Sequence, residues 1–101
     1  MLKATLIIPT IDNDGSDNSA VILQAIHHMI DINGGATVWS AQGYWKNDDG
    51  KLFADAVKVI ESATSQNDDA AMREIAELVL DATDQEAVFY SFGPQAVILS
   101  K

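Results

Sequence analysis

The chain contains no cysteine. That removes disulfides, thiolate metal sites and cysteine nucleophiles from the chemistry open to it. Positive charge is scarce as well: six lysines and arginines face fifteen acids, a formal net charge of −9. A surface of that sign repels nucleic acid and anionic lipid, so direct binding to either is not expected. The two histidines, His27 and His28, are neighbours. On a helix, adjacent side chains point about 100° apart, so this pair cannot grip one metal ion from one face. No apolar run approaches the roughly 20 residues that span a bilayer. The start, MLKATLIIPT, lacks the long apolar region and small-residue cleavage site of a signal peptide. Gly34-Gly35 lacks the spacing and the lysine of a phosphate-cradling loop, and Thr64 and Ser65 carry no nucleophile signature. A soluble intracellular protein is expected, with no metal and no cofactor.

What is present suits a single domain. The 101 residues are 48% hydrophobic, enough for a core of their own. A chain this short still buries a limited share of its surface, and self-association would help it.

Leu2 to Pro9 alternates, with Leu2, Ala4, Leu6 and Ile8 on one face, and predicts a central strand. IDNDGS follows as a turn, and Asp17, Asn18 or Ser19 can cap a helix. Ile22, Leu23, Ile26, Met29 and Ile30 recur at helical spacing until Asn33-Gly34-Gly35 stops them. Ala36 to Trp45 is β-branched and aromatic and reads as a second strand. Asn47-Asp48-Asp49-Gly50 predicts a hairpin, and Lys51 to Ser62 returns antiparallel. SATSQNDD is a loop with Ser65 or Asp68 as a cap. Ala71, Ile75, Leu78, Val79 and Ala82 mark a second helix. Ala87 to Phe92 and Ala96 to Leu99 complete the set, with a turn at Gly93-Pro94. The order β-α-β-β-α-β with a terminal β predicts an α+β, ferredoxin-like sandwich over residues 1–101. Two helices would cover one face of an antiparallel sheet and leave the other bare.

DNDGSD, Asp12 to Asp17, resembles part of a calcium loop. With Gly15 sixth, the first and twelfth ligands would be Thr10 and Val21, so the template fails. Asp55 stands among Phe53, Val57 and Val59 on one strand face, where a carboxylate needs a partner or solvent.

The densest signal is NGGATVWSAQGYWKNDDGK, which holds both tryptophans and four of the six glycines. Alternation puts Thr37, Trp39, Ala41, Gly43 and Trp45 on one face. Gly43 inside a strand predicts a bulge or a close approach. Three roles are open to the indoles: core beneath the helices, a dimer interface, or a stacking surface for a planar small ligand. Thr37, Trp39, Gly43, Trp45, Lys51 and Asp55 are the candidate ligand or interface residues. Lys46, Lys51 and Lys58 are the only concentrated cations, so a ligand that is anionic would be expected near the hairpin end. A second candidate surface is acidic: Asp69, Glu74, Glu77 and Asp81 on the second helix, facing a basic partner.

IPTIDNDG, GGATV, GYW, DDGKL and QEAVFY together resemble a family of small phage and prophage proteins. Its Gly-Gly-x-Thr, Gly-x-Trp and acidic-Gly-Lys pattern falls on Gly34, Gly35, Thr37, Gly43, Trp45, Gly50 and Lys51. Family members carry a glutamate early in the returning strand, where the nearest acid here is Asp55. The resemblance implies a viral setting, hence a bacterial cytoplasm, and no particular activity.

From this, the expected function is a non-enzymatic binding protein without catalytic residues. It would act in counter-defence, by binding a host immune protein or by sequestering a nucleotide-like ligand at a sheet-face pocket in a homodimer or higher oligomer. The alternatives are a virion structural protein and a cofactor-free enzyme of the dimeric α+β barrel kind. That enzyme would use His27, Asp55, Trp39 and Trp45 in a cleft between sheet and helices.

Overall fold

The computed structural model describes residues 1–101. The elements run β1 (Leu2–Pro9), α1 (Ser19–Asn33), β2 (Thr37–Lys46), β3 (Leu52–Thr64), α2 (Ala70–Ala82), β4 (Ala87–Phe92) and β5 (Gln95–Ser100). The strands form one sheet in the order β2-β3-β1-β4-β5, with every neighbouring pair antiparallel. This is the expected ferredoxin-like arrangement, with β5 added beyond β4.

The layers follow from alternation. Ala4, Leu6 and Ile8 of β1 join Ile60 of β3 and Val88, Tyr90 and Phe92 of β4 in the core cluster. Ile22, Ala25 and Met29 of α1 close it from above, with Met72, Ile75, Ala76 and Val79 of α2. Each large side chain buried there contributes about 1.5–3 kcal/mol relative to exposure. Tyr90 is fully buried, and its hydroxyl donates to the Asp69 carboxylate at 2.6 Å. Burial, and after it the hydrogen bond to Asp69 and that group's charge, pushes its pKa up to about 12.

Several local expectations are corrected. β3 extends to Thr64, past Ser62, because the long β1 pairs with it as far as Leu2↔Thr64. Asn18 and Asp69 occupy the helix N-cap positions, yet neither side chain caps. Asn18 instead donates to the Pro9 carbonyl and the Asp12 carboxylate, and Asp69 accepts from Tyr90. The hairpin tip takes in Lys51 as well as Asn47 to Gly50: Asn47 Oδ1 accepts the N–H groups of Asp49 and Lys51, and Gly50 takes a φ of 82°. The β2–β3 register runs unbroken from Thr37↔Glu61 to Lys46↔Leu52, so Gly43 makes no bulge. A Cβ on Gly43 would meet Val57 at an ordinary 3.5 Å, so no close approach demands glycine there either.

Candidate functional site

The second face of the sheet has no helix on it. Strand register lines up Trp39, Val59, Ile7, Phe89 and Ile98 in one row across all five strands. Trp45 lies further along the same face, opposite Phe53. Trp39 is 43% exposed and Trp45 51%. The core role is therefore excluded for both indoles: they share a face, as alternation predicts, and that face points away from the helical layer.

At the hairpin end of this face the side chains are ordered by contact. Phe53 stacks on Trp45 with ring centroids 4.4 Å apart and planes at 12°. Lys51 Nζ lies 5.1 Å from the Phe53 ring centre, within cation–π range. Trp45 Nε1 donates to Asp55 Oδ2 at 3.1 Å. Asp55 thus has the partner its apolar neighbourhood calls for, and it is also solvent exposed.

Below Trp45 the face dips into a cavity of about 590 Å³ lined from every strand. Ile7, Pro9, Val57, Phe89 and Ile98 provide its apolar wall. Trp45 and Asp55 stand on one side, and Asn13, Gln85 and Glu86 on the other. Two carboxylates line the cavity and no lysine or arginine does.

Two loops hold the far rim. Asp12, buried at 9% exposure, accepts from Asn18 Nδ2 at 2.8 Å, Gln85 Nε2 at 3.1 Å and the Asp84 N–H at 3.2 Å. The Asp84 carboxylate in turn accepts the N–H groups of Asn13 and Asp14, each at 2.9 Å. Burial alone would raise the pKa of Asp12, but the bonds from Asn18, Gln85 and Asp84 outweigh it and hold the group below its ordinary value. Asp14 is also held low, by Ser16. Carboxylate oxygens of Asp12, Asp14 and Asp84 lie within 4.8 Å of one another. That grouping could hold a cation, but bonds within the clasp already engage all three side chains.

Of the six ligand or interface candidates, the cavity brings together Trp45 and Asp55, with Gly43 beside Asp55 across the ladder. Thr37, Trp39 and Lys51 stay outside its lining. The lysine cluster does not form a pocket: Lys58 donates to Ser40 and, with Lys46, alternates onto the other face. The pairing of His27 with Asp55 is also corrected. His27 is an exposed residue of α1, on the opposite side of the sheet, and core side chains fill the space between sheet and helices. Asn13, Gln85 and Glu86 were not among the candidates. No motif marks them, because they reach the cavity from two turns brought together by the Asp12 clasp. Of the acidic set, Glu74, Glu77 and Asp81 face outward on α2, whereas Asp69 is bound to Tyr90.

No family model and no curated relative matches the chain by sequence. By fold, it is similar to a solved phage SAM lyase in its apo state, with a TM-score of 0.72 and 12% identity, covering 98% of this chain and 88% of that one. The expectation of a non-enzymatic binder is corrected on this finding: the architecture is one that an enzyme uses. The binder reading rested on a missing catalytic motif. The site's two carboxylates, Asp55 and Glu86, come from separate elements and leave no linear motif to find.

Proposed function

We propose that the chain is a lyase-type enzyme that cleaves a small cationic substrate of the S-adenosylmethionine class in the bare-face cavity. The observation that carries this is the lining: Asp55 and Glu86 beside the Trp45 indole, with no opposing lysine or arginine. Carboxylates and an aromatic face attract a cation and repel a phosphate-bearing ligand. The fold shared with a phage SAM lyase supports the reaction class.

A sulfonium is a cation with a ready leaving group. When its C–S bond breaks, sulfur keeps the electron pair and becomes a neutral thioether. A lyase adds no water, so the new bond at carbon forms within the substrate. In an elimination, a neighbouring C–H bond supplies that electron pair and Asp55 takes the proton. In an internal displacement, the substrate's own nucleophile attacks and no proton moves to the protein. Holding the ground-state cation tightly would not by itself speed either route. The gain comes from orientation and from keeping water out.

The cavity is open on one chain, and Ile98 beside it is 71% exposed. We therefore propose that a second copy seats on this aromatic face, as a homodimer or higher oligomer, and dries the site. A phage setting and a bacterial cytoplasm go with the reading, supported by the origin of the fold neighbour.

The test is incubation of the purified chain with S-adenosylmethionine, followed by chromatography and mass spectrometry. Loss of the sulfonium and appearance of a thioether nucleoside are expected. Asp55→Asn should lower kcat about 100-fold if it is the base, and should mainly raise KM if displacement is internal. Substrate that survives overnight with stoichiometric protein would overturn the proposal.

A further inference from the structure

The groove between α1 and α2 lies on the other side of the sheet from the cavity, and the lyase reading leaves it unused. It encloses about 640 Å³. Ile32 of α1 and Ala71, Ile75 and Leu78 of α2 give it an apolar floor. Its rim carries Gln24 and His28 from α1 and Glu74, Glu77 and Asp81 from α2.

The charge around this groove is one-sided. Neither helix has a lysine, and the single arginine, Arg73, is paired with Glu77 at 3.2 Å. Neither helix has a basic residue in its last turn, where the helix dipole favours a cation. Each has an acid there instead, Asp31 in α1 and Asp81 in α2. Helix stability does not explain that placement, and a cationic partner would relieve it. A second copy of this chain is a poor occupant, because its own helices present the same negative sign. A metal ion or free polyamine would leave the apolar floor exposed.

We propose that this groove docks a basic amphipathic helix of a partner protein. Its apolar stripe lies on the half-buried Ile32, Ala71 and Leu78, and its lysines or arginines face Glu74, Glu77 and Asp81. Side chains from both helices line the groove and offer a third helix a seat by ordinary ridge-and-groove packing. The docking does not depend on the lyase reading, since groove and cavity lie on opposite sides of the sheet.

The probe is a synthetic amphipathic helix of leucine and lysine, titrated into the full isotope-labelled chain and followed by amide NMR shifts. Saturable shifts are expected at Gln24, Glu74, Leu78 and Asp81. Affinity should fall at least about tenfold in the triple variant Glu74→Gln, Glu77→Gln, Asp81→Asn, and as much when serine replaces the peptide's leucines. The variant Asp48→Asn, Asp49→Asn, which removes charge from the hairpin tip, should stay within about twofold. All five positions are exposed, so folding is not at stake. Shifts spread over the whole surface or centred on the bare sheet face would overturn the proposal. So would equal weakening in the hairpin variant, or undiminished binding of the serine peptide, either of which reduces the effect to bulk charge.

Discussion

On the helical side of the sheet, Leu6, Ile60 and Tyr90 are fully buried. Their neighbours along the same strands, Ile7, Val59 and Phe89, point the other way into a face that no helix covers. Both sets are apolar. The first is sealed by α1 and α2 and supplies the stability of the subunit. The second ends in rings and side chains left in water, such as Trp39, Trp45 and Ile98. An apolar face that no helix covers is where function is to be sought. The lining of the cavity then says which sign of ligand it suits.

The widest break in this comparison comes from one substitution on each face. Leu6→Ala should cost about 2–5 kcal/mol of stability, because it leaves a cavity in a closed core. Trp45→Ala should cost less than about 1 kcal/mol in the single chain, since half of the ring is already solvated. Its effect should fall on sulfonium turnover instead. Urea unfolding of both variants checks this. If Trp45→Ala destabilises as much as Leu6→Ala, the two faces are not different in kind.

Next comes the clasp on the rim. Asp12→Asn should cost about 1–3 kcal/mol, because it weakens three bonds to a buried acceptor. The sign of its pH dependence is fixed by the direction of the shift. The folded pKa lies below the ordinary value of 3.8, so the contribution is present above that value and lost as pH falls through the folded one. The gap in urea midpoint between the parent and Asp12→Asn should be widest near about pH 7 and should close in acid. A gap that stays constant through pH 3.8 would mean the carboxylate charge is not what holds the loops.

The clasp also marks where the sequence stops being readable. Strand and helix periodicity locate all seven elements, and alternation alone puts Trp39 and Trp45 on one face, because period-2 geometry is local. Asp55 stands out as a carboxylate among apolar neighbours for the same reason. Glu86 does not, since it follows a helix in an acidic stretch like several others. Its place across from Asp55 depends on β1 lying between β3 and β4, and on Asp12 meeting Gln85 some seventy residues later in the chain. The false pairing of His27 with Asp55 has the same origin: sequence spacing does not say which side of the sheet a helix covers.

Within the sealed face, Tyr90→Phe isolates one polar contact. It removes the bond to Asp69 and should cost about 0.5–1.5 kcal/mol. In the parent chain the tyrosine pKa is raised from 10.0 to about 12, so its stabilising effect is complete below pH 10 and is lost as pH climbs toward 12. Ultraviolet titration of the Tyr44→Phe variant, in which Tyr90 is the sole tyrosine, should find ionisation at about pH 12. Ionisation near the ordinary 10.0 would mean that the helical face is open to hydroxide and less closed than its burial implies.

The smallest effect is expected on the outer surface of the helices. Arg73 and Glu77 form an exposed i,i+4 pair at 3.2 Å. Such pairs contribute about 0.3–0.5 kcal/mol, so Arg73→Gln should move the urea midpoint barely beyond error. The same change removes the only fixed cation on the two helices, and it should tighten the leucine-lysine peptide in the groove while leaving sulfonium turnover unaltered. A loss of turnover in Arg73→Gln would tie the two sides of the sheet together and end the division of labour between them.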